Sequence, residues 1–286
     1  MHRSRYSAVG LLLMGGLSIQ FGAAFAVTLF DELGPGGTVF LRLVFAAAIL
    51  LVIFRPRVRG RERGDVRLAL GFGVILGLMN WSFYESIDRI PLGACVTIEF
   101  AGPLAVAVWK SRRPLDLVWV ALAAAGILLL IDPFSSGGLD PFGVALALLA
   151  GTMWGSYILA SARVGRIWPR ASGLGIGCAV GALITLPAGL SQGGGDLLAP
   201  ELLAAGAFVG IACTVIPYGL EMEALRRIPE GVFGVLMSLD PPLAALAGVV
   251  VLGEELSALD LVAIGLVVVA SAGALSRVSS TAPVPG

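Results

Sequence analysis

The sequence predicts an all-α membrane protein of ten transmembrane helices, arranged as two five-helix repeats of opposite orientation. Three observations lead there. Of 286 residues, 57% are hydrophobic and only 13% charged, whereas soluble domains are about 45–50% apolar and about 25% charged. The apolar residues fall into ten runs, each near the roughly 20 residues that cross a bilayer at about 1.5 Å apiece. A five-residue motif then recurs half a chain later, Arg89-Ile90-Pro91-Leu92-Gly93 as Arg227-Ile228-Pro229-Glu230-Gly231, 138 residues on.

The runs are 8–30, 38–54, 68–84, 92–109, 115–131, 141–161, 171–191, 203–219, 231–252 and 257–275. Arg3 and Arg5 precede the first, and Ala24-Phe25-Ala26 within it resembles a signal-peptide cleavage site. The run is too long for a usual signal-peptide core, and its removal would destroy the repeat, so it reads as a retained span. Gly34-Pro35-Gly36-Gly37 separates it from the second span, and the Arg-rich stretch 55–67 ends that one. The third stops at the charges Glu85, Asp88 and Arg89, and Pro91 opens the fourth. Lys110 to Pro114, the Gly/Pro-containing stretch 132–140 and the basic stretch 162–170 delimit the next three. The glycines at 193–195, Arg226-Arg227 and Gly253-Glu254-Glu255 delimit the rest. Ser276 to Gly286 reads as a disordered tail.

Charge gives an orientation. With the N-terminus in the cytoplasm and the spans alternating, 17 of the 19 Lys and Arg residues fall on the cytoplasmic side. The external loops hold only Arg89, and Arg42 lies within a span. This is the positive-inside pattern; it places both termini in the cytoplasm and the chain in the plasma or inner membrane. The Arg-rich stretch 55–67 therefore reads as an orientation-setting loop, not as a nucleic-acid site.

The repeat divides the chain into residues 1–137 and 138–286. At the same offset Pro103 falls on Pro241, and Leu115-Asp116-Leu117-Val118 matches Leu259-Asp260-Leu261-Val262 after a small insertion. Five spans per unit force opposite orientations. Inverted repeats characterise secondary transporters, whose substrate site lies near the midplane between the halves.

Several polar residues sit at bilayer depth. Glu99 and Asp240 stand out, because an intramembrane carboxylate costs about 2.5–3.5 kcal/mol on insertion scales and normally faces a cavity or a partner. In repeat coordinates they are three residues apart, hence on related helix faces. Pro103 leaves the carbonyl of Glu99 without its helical donor, and Pro241 and Pro242 do the same for Met237 and Ser238; either the helices break to line a cavity or they simply kink. Arg42 either snorkels to the outer headgroups or clamps a carboxylate. Gln20, Asn80, Tyr84, Tyr157 and Tyr218 complete the candidate substrate or proton site, each with helix–helix hydrogen bonding as the alternative role. Trp81, Trp109 and Trp119 read as interfacial anchors and Trp154 as deeper.

Other chemistries find little support. Three cysteines in apolar runs give no disulfide framework and no metal-ligand spacing. The single histidine, His2, lies in the N-terminal tail, which removes histidine acid–base catalysis. No Walker A, HExxH or paired-Asp motif is present, so neither ATP-driven pumping nor an intramembrane enzyme is indicated and no cofactor or metal is expected.

Particular segments carry a resemblance. Ser18-Ile19-Gln20, Met79 to Tyr84, Glu99 to Ala107, Ser111 to Asp116, Trp154 with Tyr157, Pro217 to Met222 and Leu236 to Pro241 resemble the drug/metabolite transporter superfamily, EamA type, and within it bacterial amino-acid exporters. The resemblance implies two inverted EamA units and export of a small metabolite, threonine, homoserine or a similar amino acid. Asp240 departs from the Glu the pattern implies, and Phe21 replaces a smaller residue and narrows the expected cavity. The expected mechanism is alternating access around a central cavity, with Glu99 or Asp240 meeting the ammonium group, Arg42 the carboxylate, and protons as the coupling ion. The alternative cargo is a drug or another metabolite. The partners are then the bilayer and a small molecule, without nucleic acid and without a required oligomer.

Overall fold

The computed structural model describes residues 2–57, 60–111, 116–131, 138–169, 171–225 and 237–279. Among them every regular element is helical. The second copy of the repeated motif, 227–231, and the start of the ninth run lie outside the described residues.

The first three helices are α1 (His2–Val27), α2 (Phe30–Phe54) and α3 (Arg63–Ile87). Next come α4 (Leu92–Glu99), α5 (Ala101–Ser111) and α6 (Asp116–Ile131), followed by α7 (Pro141–Ile167) and α8 (Ser172–Gly193). The eighth run is α9 (Pro200–Gly210), a π segment (Ile211–Val215) and α10 (Ile216–Leu225). The described part of the ninth is α11 (Asp240–Ala247) with a second π segment (Gly248–Leu252), and α12 (Ala258–Ser279) closes the described chain. Among the described residues six stretches are long and apolar enough to cross a membrane, and four shorter apolar helical stretches accompany them.

Helix ends differ from the apolar runs at several places; the second helix already starts at Phe30, so Gly34-Pro35-Gly36-Gly37 lies inside it as a kink at Gly34 instead of separating two spans. The first span stops at Val27, where the amides of Thr28 and Leu29 close a turn onto Phe25 and Ala26. At the other end the helix runs through Ser279, four residues into the stretch read as a disordered tail; nothing in Ser276–Ser279 breaks a helix.

The helices approach through small residues, as membrane helices do when apolar solvent gives no drive to associate. Gly73 and Gly77 of α3 face Gly177 and Gly181 of α8, and a Cβ built on Gly77 would lie 2.9 Å from the Cα of Gly181. One apolar cluster, around Leu43, Phe72, Leu76, Leu174 and Val209, joins α2, α3, α8 and α9. A second, around Ala24, Leu92, Val96, Ala147 and Ala244, joins α1, α4, α7 and α11. Phe21 packs against this second cluster instead of narrowing a cavity. Leu183, Val52, Val250 and Leu261 are more than half exposed, an arrangement suited to lipid and not to water.

Candidate transport site

Both broken spans meet one cavity. α4 ends at Glu99, Phe100 makes a turn, and α5 starts at Ala101. Pro103 has no N–H to offer the Glu99 carbonyl, and that oxygen instead lies against Gly151 of α7, 2.5 Å from where a Cβ would be. In the ninth run, turns at Ser238 and Leu239 precede α11, whose first turn holds Asp240, Pro241 and Pro242. Proline fits that position because first-turn amides have no helical acceptor anyway. The prolines thus break both helices at the site. Neither ring lines the cavity; Pro241 is buried in packing and Pro103 half-buried behind the wall.

The cavity has a volume of about 140 Å³. Seven of the eight polar candidates line it: Gln20, Arg42, Asn80, Glu99, Tyr157, Tyr218 and Asp240. Asp240 reaches toward α1, its Oδ1 lying 3.2 Å from a Cβ built on Gly16. Among the described residues nothing hydrogen-bonds the Glu99 carboxylate, and the charged groups acting on it are Asp240 and Arg42. The Asn80 amide donates back to the Leu76 carbonyl at 2.8 Å within α3, which leaves its carbonyl oxygen for the cavity. Phe83, Trp154, Tyr157 and Tyr218 give an aromatic lining; Trp154 meets Phe100 edge-on at 5.1 Å and Tyr157 stacks on Phe72 at 5.2 Å.

Arg42 does not snorkel. It is 7% exposed, and three neutral groups hold its guanidinium. Nε donates to Thr214 Oγ1 at 3.3 Å, Nη1 to Tyr84 Oη at 3.3 Å, and Nη2 to the Cys213 carbonyl at 3.1 Å. Tyr84 is the eighth candidate, and the structure gives it the alternative role, a hydrogen bond between helices: it is fully buried behind Arg42, with the guanidinium 5.4 Å from its ring centre. Its role is to hold the cation, not to face the cavity. Three of five guanidinium donors are engaged, which leaves two for a ligand.

The Cys213 carbonyl is available because of Pro217, which enters the sequence analysis only as part of the family resemblance and not as a helix break. Proline at 217 deprives the carbonyl at 213 of its helical donor. The helix widens locally into the π segment, with the Ile216 amide donating to Ile211. Ala212 and Cys213 then present their carbonyls sideways, the first to Ser18 Oγ at 2.7 Å and the second to Arg42. π segments of this kind recur at functional sites. A proline within an apolar run was the signal; Thr214, which also lines the cavity, follows from it.

Polar contacts join the end of α3, the start of α2 and the end of α8. Gln192 Oε1 accepts the Gly36 amide at 2.6 Å while its Nε2 donates to Glu85 at 2.9 Å, and Arg89 pairs with Glu85 at 3.7 Å. Beside them Glu254 accepts the Leu92 amide at 2.8 Å.

A helical bundle with broken helices around a small polar cavity describes a membrane transporter, and the comparisons agree. Residues 141–276 match the EamA-like transporter family. The threonine/homoserine exporter RhtA of Escherichia coli K12 is 44% identical over 265 residues, which covers 92% of this chain and 89% of that protein. RhtA of Salmonella typhimurium LT2 is 42% identical over the same shares. The uncharacterized transporter YwfM of Bacillus subtilis is 29% identical, covering 82% and 83%. A solved crystal structure superposes with a TM-score of 0.63 at 16% identity, over 95% of this chain and 98% of that one, a likeness of fold. This chain belongs to the EamA-like transporter family.

Proposed function

We propose that this protein exports a small amino acid of the threonine/homoserine type by alternating access, with the cavity described above as its substrate site. The observation that carries this reading is the charge set around one cavity, a guanidinium with two uncommitted donors and two carboxyl groups, which suits a zwitterion. Arg42 takes the ligand carboxylate through its free N–H pair. Glu99, with Asp240, takes the ammonium, and Asn80 and Gln20 take the side chain. A volume of about 140 Å³ holds a small amino acid, whereas drug-sized ligands occupy pockets of about 300–1,000 Å³. The 44% identity to RhtA supports the same cargo.

The membrane arrangement belongs to the same proposal: ten spans as inverted units 1–137 and 138–286, with both termini cytoplasmic. The charge asymmetry of the loops supports the orientation. The breaks at Phe100 and Ser238 fall 138 residues apart, the offset of the repeated motif, and the family match begins where the second unit does. The polar contacts around Gln192 and Glu254 are then on the external side. Proton coupling would run through Glu99 and Asp240, the two proton acceptors in the cavity.

Radiolabelled threonine counterflow in sealed proteoliposomes tests the cargo. The native chain should show saturable counterflow that Glu99→Gln weakens; no counterflow by inserted, folded protein would remove the amino-acid assignment. Unchanged pH dependence in Glu99→Gln and Asp240→Asn would remove the proton scheme.

A further inference from the structure

We infer that Glu254 is a positioning residue that ties the helix carrying Glu99 to the segment carrying Asp240, so that the two cavity carboxyl groups move as one body. This rests on the substrate site proposed above, and it concerns a residue outside that site.

α4 is only eight residues long, beginning at Leu92 and ending at Glu99. The first amides of a helix have no partner within it and are usually met by a Ser, Thr, Asp or Asn side chain at the cap. Here the cap is Pro91, which has no such oxygen. The missing acceptor comes from 162 residues away, where Glu254 Oε1 takes the Leu92 amide at 2.8 Å. A negative group at this end also complements the helix dipole.

Glu254 is aimed there by its own segment. The piece that starts with Asp240 runs through α11 and the second π segment and stops at Gly253, which has φ of 69°. That left-handed residue turns the chain back, and the Glu254 amide donates to the Gly248 carbonyl at 3.2 Å. The carboxylate folds over Gly248, where a Cβ would overlap Oε2. Below the cap the backbones touch: a Cβ on Gly93 would lie 2.8 Å from both Cα and Cβ of Ala245. Leu92, Ala244 and Ala247 around this contact are fully buried. Cap and glycine contact together fix α4 along its axis, and its far end is Glu99.

A double-mutant cycle in the full-length protein separates this from general packing. Glu254→Ala should raise the threonine KM about tenfold, the loss expected for a charge-assisted hydrogen bond. Glu254→Gln, which keeps an acceptor for Leu92, should stay within about threefold. Introduced into Glu99→Gln, Glu254→Ala should add less than about twofold, because residues acting through one another are not additive. Where turnover is too low, the threonine Kd of the purified protein replaces KM. Multiplicative effects of the two substitutions, or a lower melting temperature with unchanged KM, would overturn the inference. If Glu99→Gln alone changes neither KM nor Kd, the substrate-site reading fails instead.

Discussion

Gly151→Ala tests whether the helix crossing behind Glu99 sets the geometry of the cavity. A Cβ there would stand 2.5 Å from the Glu99 carbonyl oxygen, 3.1 Å from its Cα and 3.2 Å from its carbonyl carbon. Ordinary C···O approaches are about 3.3–3.6 Å, so α7 and the end of α4 must separate by about 1 Å. Backbone cannot rotate out of the way as a flexible side chain can. Such overpacking costs roughly 1–3 kcal/mol, and misplacing a working group by about 1 Å costs up to roughly 10²-fold in enzymes. Thermal unfolding in detergent should show a clear loss of stability, and counterflow should show a threonine KM raised by about tenfold or more. Gly155→Ala is the matched control one helical turn on. Its Cβ would lie 3.2 Å from the Gly102 carbonyl oxygen and from Val106 Cγ2, so a few tenths of an ångström suffice and both readouts should change little. A Gly151→Ala protein that melts and transports like the native chain would refute the claim that this crossing positions Glu99.

Two further predictions concern single side chains, one in the cavity and one outside it. Arg42→Ala leaves the Cys213 carbonyl, already deprived of its helical donor by Pro217, without a partner, at a cost of about 1–3 kcal/mol; Arg42→Lys keeps charge but not the three fixed bonds. In both, competition assays should show that preference for threonine over its carboxylate-free amino alcohol falls. The other concerns Glu254, which lies in the 253–257 connection outside the helices. Burial pushes its carboxyl above the ordinary carboxylate range, with the amides of Leu92 and Gly93 pulling the other way. A group raised in this way contributes stability that is full below its unfolded value and fades as pH rises through the folded one. Melting curves from pH 4 to 8 should therefore show Glu254→Gln gaining on the native chain as pH rises; parallel curves would contradict this.

Much of the architecture was legible in the sequence. Apolar length marked most of the described helices, and the Glu99–Pro103 and Asp240–Pro241 pairs marked two places where a helix either breaks or kinks, because a proline in an apolar run has a definite backbone consequence. The facing of each helix was harder to read. Lipid and protein interior are both apolar, so hydropathy does not separate the exposed Leu183 from the buried Leu43. Tyr84 was placed in the cavity for that reason, and its burial behind Arg42 follows from packing between α2 and α3. Pro217 signals a freed carbonyl in the Ile211–Val215 segment, but the donors that take it and its neighbour, Arg42 and Ser18, meet them only in the folded bundle.

The partners of Arg42 bear on how the membrane voltage acts. All three groups that hold the guanidinium are neutral, and among the described residues the carboxyl groups that share its cavity are Glu99 and Asp240. An arriving zwitterion brings equal and opposite charge. Loaded and empty cavities then feel the same electrical work, about 2.3 kcal/mol per elementary charge per 100 mV, and the field neither favours nor opposes the cargo as such. Any dependence of export on voltage would then reflect the net charge that Arg42, Glu99 and Asp240 carry together as the cavity changes sides, and not the amino acid itself.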